Sequence, residues 1–509
     1  MNSVIIGWGF KFMALLNGWY EHSGTYGVIQ WLHRAMKQSF FIGPVYQSFT
    51  VDRHRDYTQG SLLLGLPLKG LGLVFQGMKG GFLRVPKGLF ETSFAIRTLN
   101  SSVVTQLVLN LPISFSLFVM GMLVIPSHLW SNLFILLAAV VFWGIYGLGY
   151  LQGKYQGLKL RYVTTSLLIY VFFAFLSFLT GFGGMDSIRV FSIMGGSIAL
   201  GLLAIHIIDS EKKLHWLMGA MFTGLLLSSL FGLLQYFVLG IAVRTDFIDL
   251  NANFGIAGRL YATMGNPNNF AKVLTMFIPL CVAMVFAIKN PWVKLILTGL
   301  LLPMVLALVL TYSRASYLAV AGSTFVFVLM KWPRLVPLGI LLGLLAIPFI
   351  PEVILMRLGT IGTDTSSLYR IQIWEGSWRT VQNYWSSGIG IGPSAFQLIY
   401  RAHAHNMAGN AMHAHNVFLN VWVEVGIGGA IAMVIYNFNT VRGGIVAFLN
   451  TKNIAIQYYL AGGVASLVGF LMFSMVEHVW FYPRAMLAYF IVMGVIWAAI
   501  RLHEKEKRG

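Results

Sequence analysis

The chain has 509 residues, of which 57% are hydrophobic and only 10% are charged, whereas a soluble domain carries about 25% charged residues. This composition excludes an ordinary soluble protein and predicts an all-α polytopic membrane protein, because apolar runs long enough to cross a bilayer as helices recur from residue 103 onward. The formal net charge of +19 indicates membrane topology and contact with anionic membrane lipids, and no nucleic-acid partner.

The chain divides into five predicted regions. Residues 1–102 alternate short apolar patches with basic residues, which predicts a basic cytoplasmic segment lying in the membrane interface. Nine transmembrane helices are expected in 103–350 and three in 415–500, followed by a basic cytoplasmic tail at 501–509. The large extracytoplasmic loop between them, 351–414, is far longer than ordinary connections and is expected to carry function. The spans are 103–125, 130–150, 162–181, 189–208, 214–241, 269–288, 294–312, 315–331, 335–350, 415–438, 455–477 and 482–500.

Lysine and arginine are distributed unequally between the two sides of this topology. Lysine-containing connections are assigned to the cytoplasm by the positive-inside rule, which places both termini inside. The opposite connections contain arginine and almost no lysine, Lys272 at the lip of the sixth span being the exception. Guanidinium groups grip phosphate in a bidentate manner, so an outward-facing anionic ligand is expected, although simple avoidance of lysine explains any single arginine equally well. These arginines are Arg189, Arg244, Arg259, Arg314, Arg357, Arg370, Arg379, Arg401 and Arg484.

The long loop contains a helical pattern followed by a glycine-rich turn. Apolar side chains recur every three or four residues through SSLYRIQIWEGSWRTVQNYW, which predicts a short amphipathic helix that lies on the membrane or caps a cavity. In the next stretch, SGIGIGPSAF, the residues Gly388, Gly390 and Gly392 are turn-formers. No strand-turn-helix unit surrounds them, so they do not indicate a dinucleotide site.

Four histidines lie in RAHAHNMAGNAMHAHN, residues 401–416, where His-Ala-His-Asn occurs twice. A zinc site would need three or four ligands, usually with cysteine or carboxylate help, and no third ligand is evident; no metal ion is therefore expected. A general base needs only one positioned imidazole. His415 is the best placed, because it lies where the loop becomes the tenth span, beside Asn416 as the predicted N-cap.

Polar residues also continue along the tenth span. Asn416, Asn420 and Glu424 follow one another at intervals of four and share one helix face. A carboxylate inside a span is costly, so we expect Asn420 and Glu424 to be structural hydrogen-bonding groups that face the protein interior or a wet cavity. Asn266 and Asn268 are expected to fix the turn before the sixth span and to cap that helix.

Four segments resemble the O-antigen ligase and polymerase family of membrane glycosyltransferases. HNVFLNVWVEVGIGG has His-Asn, nine residues, and Gly-x-x-Gly through Gly426 and Gly429. GRLYATMGNPNNFA (258–271), TYSRASYLAV (311–320) and the loop segment YRIQIWEGSW…GIGIGPSAF are similar to three further segments of that family. They stand in the family's order, each at the predicted outer face, and the resemblance covers roughly residues 160–500.

The resemblance implies an inverting, metal-independent glycosyltransferase without a cofactor. It would move a glycan from undecaprenyl pyrophosphate to an acceptor hydroxyl at the outer face of a bacterial plasma membrane; the acceptor, a glycan, a lipid or a protein, stays open. His415 would take the acceptor's proton, and Arg314 and Arg259 would hold the pyrophosphate, which makes these three the expected catalytic residues. The expected substrate-binding residues are Asn416, His413, Tyr312, Ser313, Arg370, Arg401, Arg484 and His478.

A transporter or flippase of lipid-linked sugars or other anionic solutes is the alternative function. Such a protein places its key charges at mid-membrane on broken helices, in repeated halves. This sequence shows no convincing internal repeat, and its polar residues gather at the outer lip and in one loop. The transferase is therefore the favoured hypothesis.

Overall fold

A computed structural model describes residues 110–158, 162–240, 258–359, 361–405 and 408–507, together with a few isolated earlier positions. Within these ranges the regular structure is entirely helical, which confirms the all-α prediction. The basic segment predicted at 1–102 lies outside the described residues apart from those isolated positions.

Fifteen α-helices make up the described part of the chain. They are α1 Leu111–Val124, α2 Leu133–Leu151, α3 Thr165–Thr180, α4 Gly184–Ile207, α5 Glu211–Phe237, α6 Pro267–Ala287, α7 Pro291–Leu310, α8 Arg314–Lys331, α9 Val336–Ala346, α10 Glu352–Gly359, α11 Thr365–Tyr384, α12 Pro393–Tyr400, α13 Val417–Asn450, α14 Ile454–Ser474 and α15 Pro483–Glu506.

Each of the twelve predicted spans coincides with one of these helices, and eight of the helices are long and apolar enough to cross a membrane. The chain is therefore a multi-pass membrane protein. The helices α1, α3, α8 and α9 are shorter or less apolar than the eight, so the count of about twelve spans stays a prediction. The loop between α9 and α13 contains α10, α11 and α12, and α11 is the helix predicted from the amphipathic pattern.

The helices form layers around α15. In the most apolar 18-residue stretch of α15, 94% of the residues are buried. The corresponding shares are 83% in α6 and 72% in α14, but only 17% in α7. The core is thus built from α6, α14 and α15, and α7 presents most of its apolar surface to the outside. In a membrane such a surface meets lipid, because apolar side chains need no protein cover there.

Helix α13 extends twelve residues beyond the predicted end at residue 438. The stretch NFNTVRGG reads as polar in sequence, but Asn437 accepts a hydrogen bond from Tyr489 and Thr440 accepts one from Trp497. Both partners lie on α15. Tertiary contacts therefore keep the polar stretch helical, where sequence polarity had suggested a connection.

A break at Gly426 divides α13. Gly426 has φ 83° and ψ 175°, a backbone conformation that L side chains avoid. The break frees the carbonyl groups of Val423 and Glu424, which accept hydrogen bonds from the backbone N–H groups of Ile389 (2.9 Å) and Gly390 (3.1 Å). These two hydrogen bonds attach the glycine-rich turn to the part of α13 that precedes Gly426.

The predicted turn-formers in this segment all have positive φ angles: 67° at Gly388, 104° at Gly390 and 108° at Gly392. A methyl group on Gly388 would overlap the backbone of Glu424, and one on Gly426 would overlap the carbonyl of Ser386. Close backbone packing together with positive φ therefore explains Gly426, whereas Gly429, the second glycine of the Gly-x-x-Gly motif, is explained by side-chain packing, because a methyl group there would overlap Val425.

We expect Gly426→Ala to destabilise the protein. Alanine at φ 83°, ψ 175° would occupy a region open essentially only to glycine, which costs about 1–3 kcal/mol, and its methyl group would also displace the turn at Ser386. The measurement is the thermal unfolding midpoint in detergent, which should fall by several degrees. Gly299→Ala is the control, because Gly299 lies in a helix with nothing within 4 Å of an added Cβ. Equal midpoints for the two variants would contradict this account of the break.

Candidate functional site

A cavity of about 50 Å³ lies where the N-terminal ends of α6, α8 and α11 meet the segment after α14. We call it the arginine cavity. It brings together six residues predicted from the sequence and two further polar residues, Ser366 and Glu477. Its polar lining is formed by Arg259, Asn268, Tyr312, Ser313, Arg314, Ser366, Arg370 and Glu477.

Arg259 is 7% exposed and is fixed on two sides. Its Nε donates to the carbonyl of Thr311 (2.8 Å), and its Nη2 donates to Oδ1 of Asn268 (2.7 Å). Asn266 caps α6 as predicted, accepting hydrogen bonds from two backbone N–H groups. Asn268, by contrast, uses its side chain to orient Arg259. The turn before α6 therefore positions a guanidinium group.

Arg314 is the first residue of α8 and forms an ion pair of 2.6 Å with Asp364. Asp364 is the N-cap of α11 and accepts from the N–H of Ser367. Burial alone would raise the pKa of Asp364, but its bonds to Arg314 and Ser367 outweigh that effect and lower it. Tyr312, with φ 49°, makes the sharp turn that starts α8 beside Arg259. The long loop is thus fastened to the core through Arg314.

Glu477 is the central charge of the cavity. Its Oε1 lies 3.1 Å from Nδ1 of His415 and 4.0 Å from Nζ of Lys272, and its Oε2 lies 3.6 Å from Nη2 of Arg370. Only 7% of its side chain is exposed. Burial would raise the pKa of Glu477, but the positive groups around it hold that pKa well below its usual range. Glu477 is therefore ionised, and it connects His415 to the cavity that holds Arg259 and Arg314.

His415 has φ 46° and, with Ala262 and Tyr312, is one of three non-glycine residues with positive φ in the described ranges. Tyr312 lines the arginine cavity, His415 contacts its Glu477, and Ala262 begins the short turn before α6. Such backbone strain persists only where the surrounding contacts enforce it, and it is concentrated at functional sites. Nδ1 of His415 is close enough to Glu477 for an ion pair, although the ring is not turned to make a directed hydrogen bond. About a quarter of the His415 side chain is exposed.

His413 packs against His415, with ring centroids 4.1 Å apart. The backbone N–H of His415 donates to Nδ1 of His413 (3.2 Å), so that nitrogen carries no proton. Burial, and then the neighbouring imidazoles, place the pKa of His413 well below its usual value. His413 is therefore a neutral ring that supports His415.

His478 has its tautomer set by Asn420. Oδ1 of Asn420 accepts from the N–H of Ala414 (2.9 Å), which leaves its amide NH₂ to donate to Nε2 of His478 (3.3 Å). The ring proton of His478 is consequently on Nδ1. Burial, with the charge of Lys272, lowers the pKa of His478 to about 3. His478 therefore stays neutral, and its basic nitrogen is occupied by Asn420.

His413, His415 and Glu477 offer three metal-type ligand atoms within 4.8 Å of one another. This cluster is richer than the sequence indicated, because the carboxylate comes from a distant segment. Lys272 and Arg370 already neutralise Glu477, however, and a divalent cation there would face two fixed positive charges. The charges favour an anionic ligand over a metal ion.

Other predicted residues lie in structural positions. Asn416 caps α13 by accepting from Leu419 N–H (3.0 Å), and its NH₂ group donates to the carbonyl of Met475. Glu424 accepts from the N–H of Gly392 (3.2 Å). Arg484 is 1% exposed and donates to the carbonyl of Ile125 (2.7 Å), at the end of α1. Arg401 is exposed at the end of α12 and does not line the arginine cavity.

Sequence reasoning missed Glu477, Lys272 and Asp364 as members of the site. Lys272 was noticed only as an exception among arginines, and Glu477 stands directly before His478. A carboxylate at the end of an apolar span, next to a histidine, was the available signal. Asp364 gave only the pattern of a helix N-cap.

Residues 299–434 match the family model described as O-antigen ligase. This match confirms the resemblance noted from the motifs. It contains Arg314, Arg370 and His415, while Arg259 and Glu477 lie outside it. No curated protein matches the chain.

We expect the folded protein to lose stability as the pH falls from 7.5 to 5.0. A histidine kept neutral by burial protonates in the unfolded chain below about pH 6.5, which costs about 2 kcal/mol per residue at pH 5. The pKa of Glu477 is lowered, so its contribution is lost only below about pH 4.5. The thermal midpoint of His478→Gln should fall less over this interval than that of the wild type, whereas the exposed control His405→Gln should follow the wild type. If the midpoint of His478→Gln fell as much as that of the wild type, His478 would not be the buried neutral histidine described here.

Proposed function

Because residues 299–434 carry the O-antigen ligase domain, we propose that this membrane protein is an inverting glycosyltransferase. It transfers a glycan from undecaprenyl pyrophosphate to an acceptor hydroxyl, as an O-antigen ligase or as a polymerase of surface polysaccharide. The acceptor is a glycan, a lipid or a protein. We place the reaction at the outer face of a bacterial plasma membrane, with both termini in the cytoplasm.

One observation carries the proposal: three arginines and Glu477 line one cavity, and the same Glu477 contacts His415 and Lys272. Three guanidinium groups and one carboxylate line the cavity, so the lining has a formal net charge of about +2. A pyrophosphate leaving group gains negative charge as the glycosidic bond breaks. Fixed guanidinium groups stabilise that charge without reorganising, which is how this site would hold and activate the donor.

The transfer is a single displacement. The acceptor oxygen forms a bond to the anomeric carbon of the donor sugar, and the bond from that carbon to the pyrophosphate oxygen breaks. The bonding electrons leave with the pyrophosphate, and Nε2 of His415 takes the acceptor's proton. Attack opposite the leaving group inverts the anomeric configuration. The proton later passes from the imidazolium to water.

We infer that Glu477 determines which ring nitrogen of His415 acts as the base. A carboxylate beside Nδ1 favours the tautomer with hydrogen on Nδ1, which leaves Nε2 free to accept a proton. The same carboxylate stabilises the imidazolium that forms during transfer. Since Lys272 and Arg370 hold Glu477 ionised, the base and the anion-binding arginines are electrostatically linked.

This chemistry requires no metal ion. A divalent metal would serve to neutralise the leaving group, and Arg259, Arg314 and Arg370 supply that charge here. We therefore propose that the transfer is metal-independent. An assay in the presence of a chelator separates this mechanism from one that depends on a metal bound by His413, His415 and Glu477.

We expect His415→Ala to lower the rate of glycan transfer about 100- to 10,000-fold, because removal of a general base has effects of that size. The assay uses purified protein in liposomes, an undecaprenyl-pyrophosphate-linked glycan, candidate acceptors and EDTA. The matched control is His405→Ala, which removes the corresponding histidine of the first His-Ala-His-Asn repeat, where the side chain is exposed. Full activity of His415→Ala, or loss of wild-type activity in EDTA that zinc restores, would refute this mechanism.

We expect Arg314→Lys to impair donor use more than acceptor use. Lysine keeps the charge but loses the planar, bidentate geometry, and it also weakens the contact to Asp364 that fastens the loop. The measurement is kcat/KM for the donor, which should fall at least about tenfold, the equivalent of one charge-assisted hydrogen bond. Arg379→Lys is the control, since Arg379 is exposed on α11 and does not line the cavity. Equal values for both variants would exclude Arg314 from donor binding.

A further inference from the structure

A second cavity, of about 270 Å³, lies on the other side of the histidine cluster. We call it the sugar cavity. Its walls are formed by α3, α4, the part of α13 before Gly426, the turn at Gly392 and the segment from His478 to Met486. Its volume is close to the lower end of the range of about 300–1,000 Å³ for small-molecule sites, which suits roughly one sugar ring.

The two cavities meet at consecutive residues. Glu477 lines the arginine cavity and His478 lines the sugar cavity. The ring of His413 lies between His415, at 4.1 Å, and His478, at 5.4 Å, and it also packs on Phe481 at 4.3 Å. The His415 imidazole is therefore separated from His478, and so from the sugar cavity, by the ring of His413.

The linings differ in charge. The arginine cavity combines several cations, whereas the charged side chains of the sugar cavity are one arginine, Arg189, and one carboxyl group, Glu424. A second pyrophosphate would find little stabilisation there. A neutral molecule with several hydroxyl groups fits better, because a guanidinium donates to hydroxyl oxygens and a carboxylate accepts from hydroxyl groups.

Two buried ring nitrogens add to this polar lining. Nδ1 of His478 and Nε1 of Trp480 have no hydrogen-bond partner among the described residues. Both side chains line the sugar cavity and are more than nine-tenths buried. Since Asn420 occupies Nε2 of His478, the unpaired Nδ1 carries hydrogen and is a donor. Unpaired buried donors are rare, and a ligand hydroxyl would reach these two after a rotation of the rings, because neither nitrogen is accessible from the cavity as it stands.

The remaining lining is aromatic and apolar. Trp480 and Phe481 offer ring faces, and Tyr170 packs 6.0 Å from Trp480. A sugar ring has a C–H face that packs on aromatic rings while its hydroxyl groups bond at the edge. The adjoining Val190, Ile193 and Met194 on α4 suit an apolar group attached to that sugar.

The roof of the cavity is held rigidly. Glu424 accepts from the N–H of Gly392, and Asp186 accepts from both the N–H (3.2 Å) and the hydroxyl (2.9 Å) of Ser394. The glycine-rich turn is thereby attached to α4 and to α13. The cavity is consequently preformed, which reduces the ordering cost of binding.

We propose that this cavity binds the acceptor, and that the part of the acceptor it recognises is a neutral sugar ring carrying an apolar substituent. The proposal rests on the proposed glycosyl transfer for its role. In that arrangement the acceptor sugar lies beside His478, its reacting hydroxyl extends past the His413 ring toward His415, and the donor pyrophosphate lies against the arginines of the arginine cavity. Arg189 and Glu424 would select the acceptor without touching the leaving group.

The test measures sugar binding without requiring turnover. Val190→Cys places a thiol in the lining, and the chain's own cysteine, Cys281, is buried and gives little background. The rate of alkylation by N-ethylmaleimide is measured with the p-nitrophenyl β-glycosides of glucose, galactose and N-acetylglucosamine. At least one should slow labelling about threefold, which is the protection given by two-thirds occupancy. Inorganic pyrophosphate and undecaprenyl phosphate should not slow it.

Matched second variants identify the groups responsible. Glu424→Gln, added to Val190→Cys, should weaken the protection, since glutamine still accepts from Gly392 but replaces the second carboxyl oxygen with an NH₂ group that cannot accept from a ligand hydroxyl. Glu375→Gln is the control, because Glu375 is exposed on α11 and outside the lining. Arg189→Gln provides an independent test at an exposed position and should also weaken the protection.

Protection by none of the three glycosides, or equal protection by pyrophosphate, would overturn the sugar cavity. Loss of protection in Glu375→Gln as large as in Glu424→Gln would overturn the assignment of Glu424. If the wild type binds glycosides but transfers no glycan from the lipid donor, the proposed function fails while the sugar cavity stands. If the protein transfers glycan but no glycoside protects the thiol, the proposed function stands and the sugar cavity fails.

Discussion

The whole site depends on the ionised carboxylate of Glu477 in a nearly buried position. A buried charge is costly unless partners compensate it, and here Lys272, Arg370 and His415 approach it from three separate parts of the chain. The compensation is mutual, because the same carboxylate stabilises a lysine that is only 5% exposed. Removal of Glu477 would leave that lysine and Arg370 to repel each other. The carboxylate thus holds together the donor-binding charges and the proposed base, and this coupling makes the position of His415 sensitive to the cations around it.

A backbone constraint supports this electrostatic one. The break of α13 at Gly426 frees two carbonyl groups, and the glycine-rich turn at Gly388 and Gly390 occupies them. Through Gly392, this glycine-rich turn also forms the roof of the sugar cavity. At the start of α13, the N-cap residue Asn416 fixes the backbone next to His415. The first third of α13 therefore fixes both features: His415 just before its first residue, and the glycine-rich turn at Val423 and Glu424. Rigid support of this kind is what a site needs to hold reacting groups at defined distances.

The two cavities suggest how one protein can combine a charged donor with a neutral acceptor. The arginine cavity is small and positive, and the sugar cavity is larger, aromatic and nearly balanced in charge. The neutral rings of His413 and His478 lie between them, with pKa values lowered mainly by burial. Neutral neighbours add no repulsion when His415 gains a proton. The wall between the cavities can therefore accept one positive charge at the proposed base without a second titrating group competing for it.

The sequence by itself determined the helical membrane character, the positions of most helices, the caps at Asn266 and Asn416, the amphipathic helix of the long loop and the resemblance to O-antigen ligases that four short motifs carry. These features are local, because apolar length, N-cap chemistry and the need for glycine at positive φ are decided within a few residues. Only the tertiary structure decided that Glu477 and Lys272 join His415, that Asp364 anchors Arg314, and that Asn268 orients Arg259 instead of capping a helix. It also kept α13 helical through Asn437 and Thr440, and it fixed Arg484 at the end of α1. The physical reason is that ion pairs and buried hydrogen bonds depend on which side chains packing brings together, and the order of residues along the chain does not carry that information.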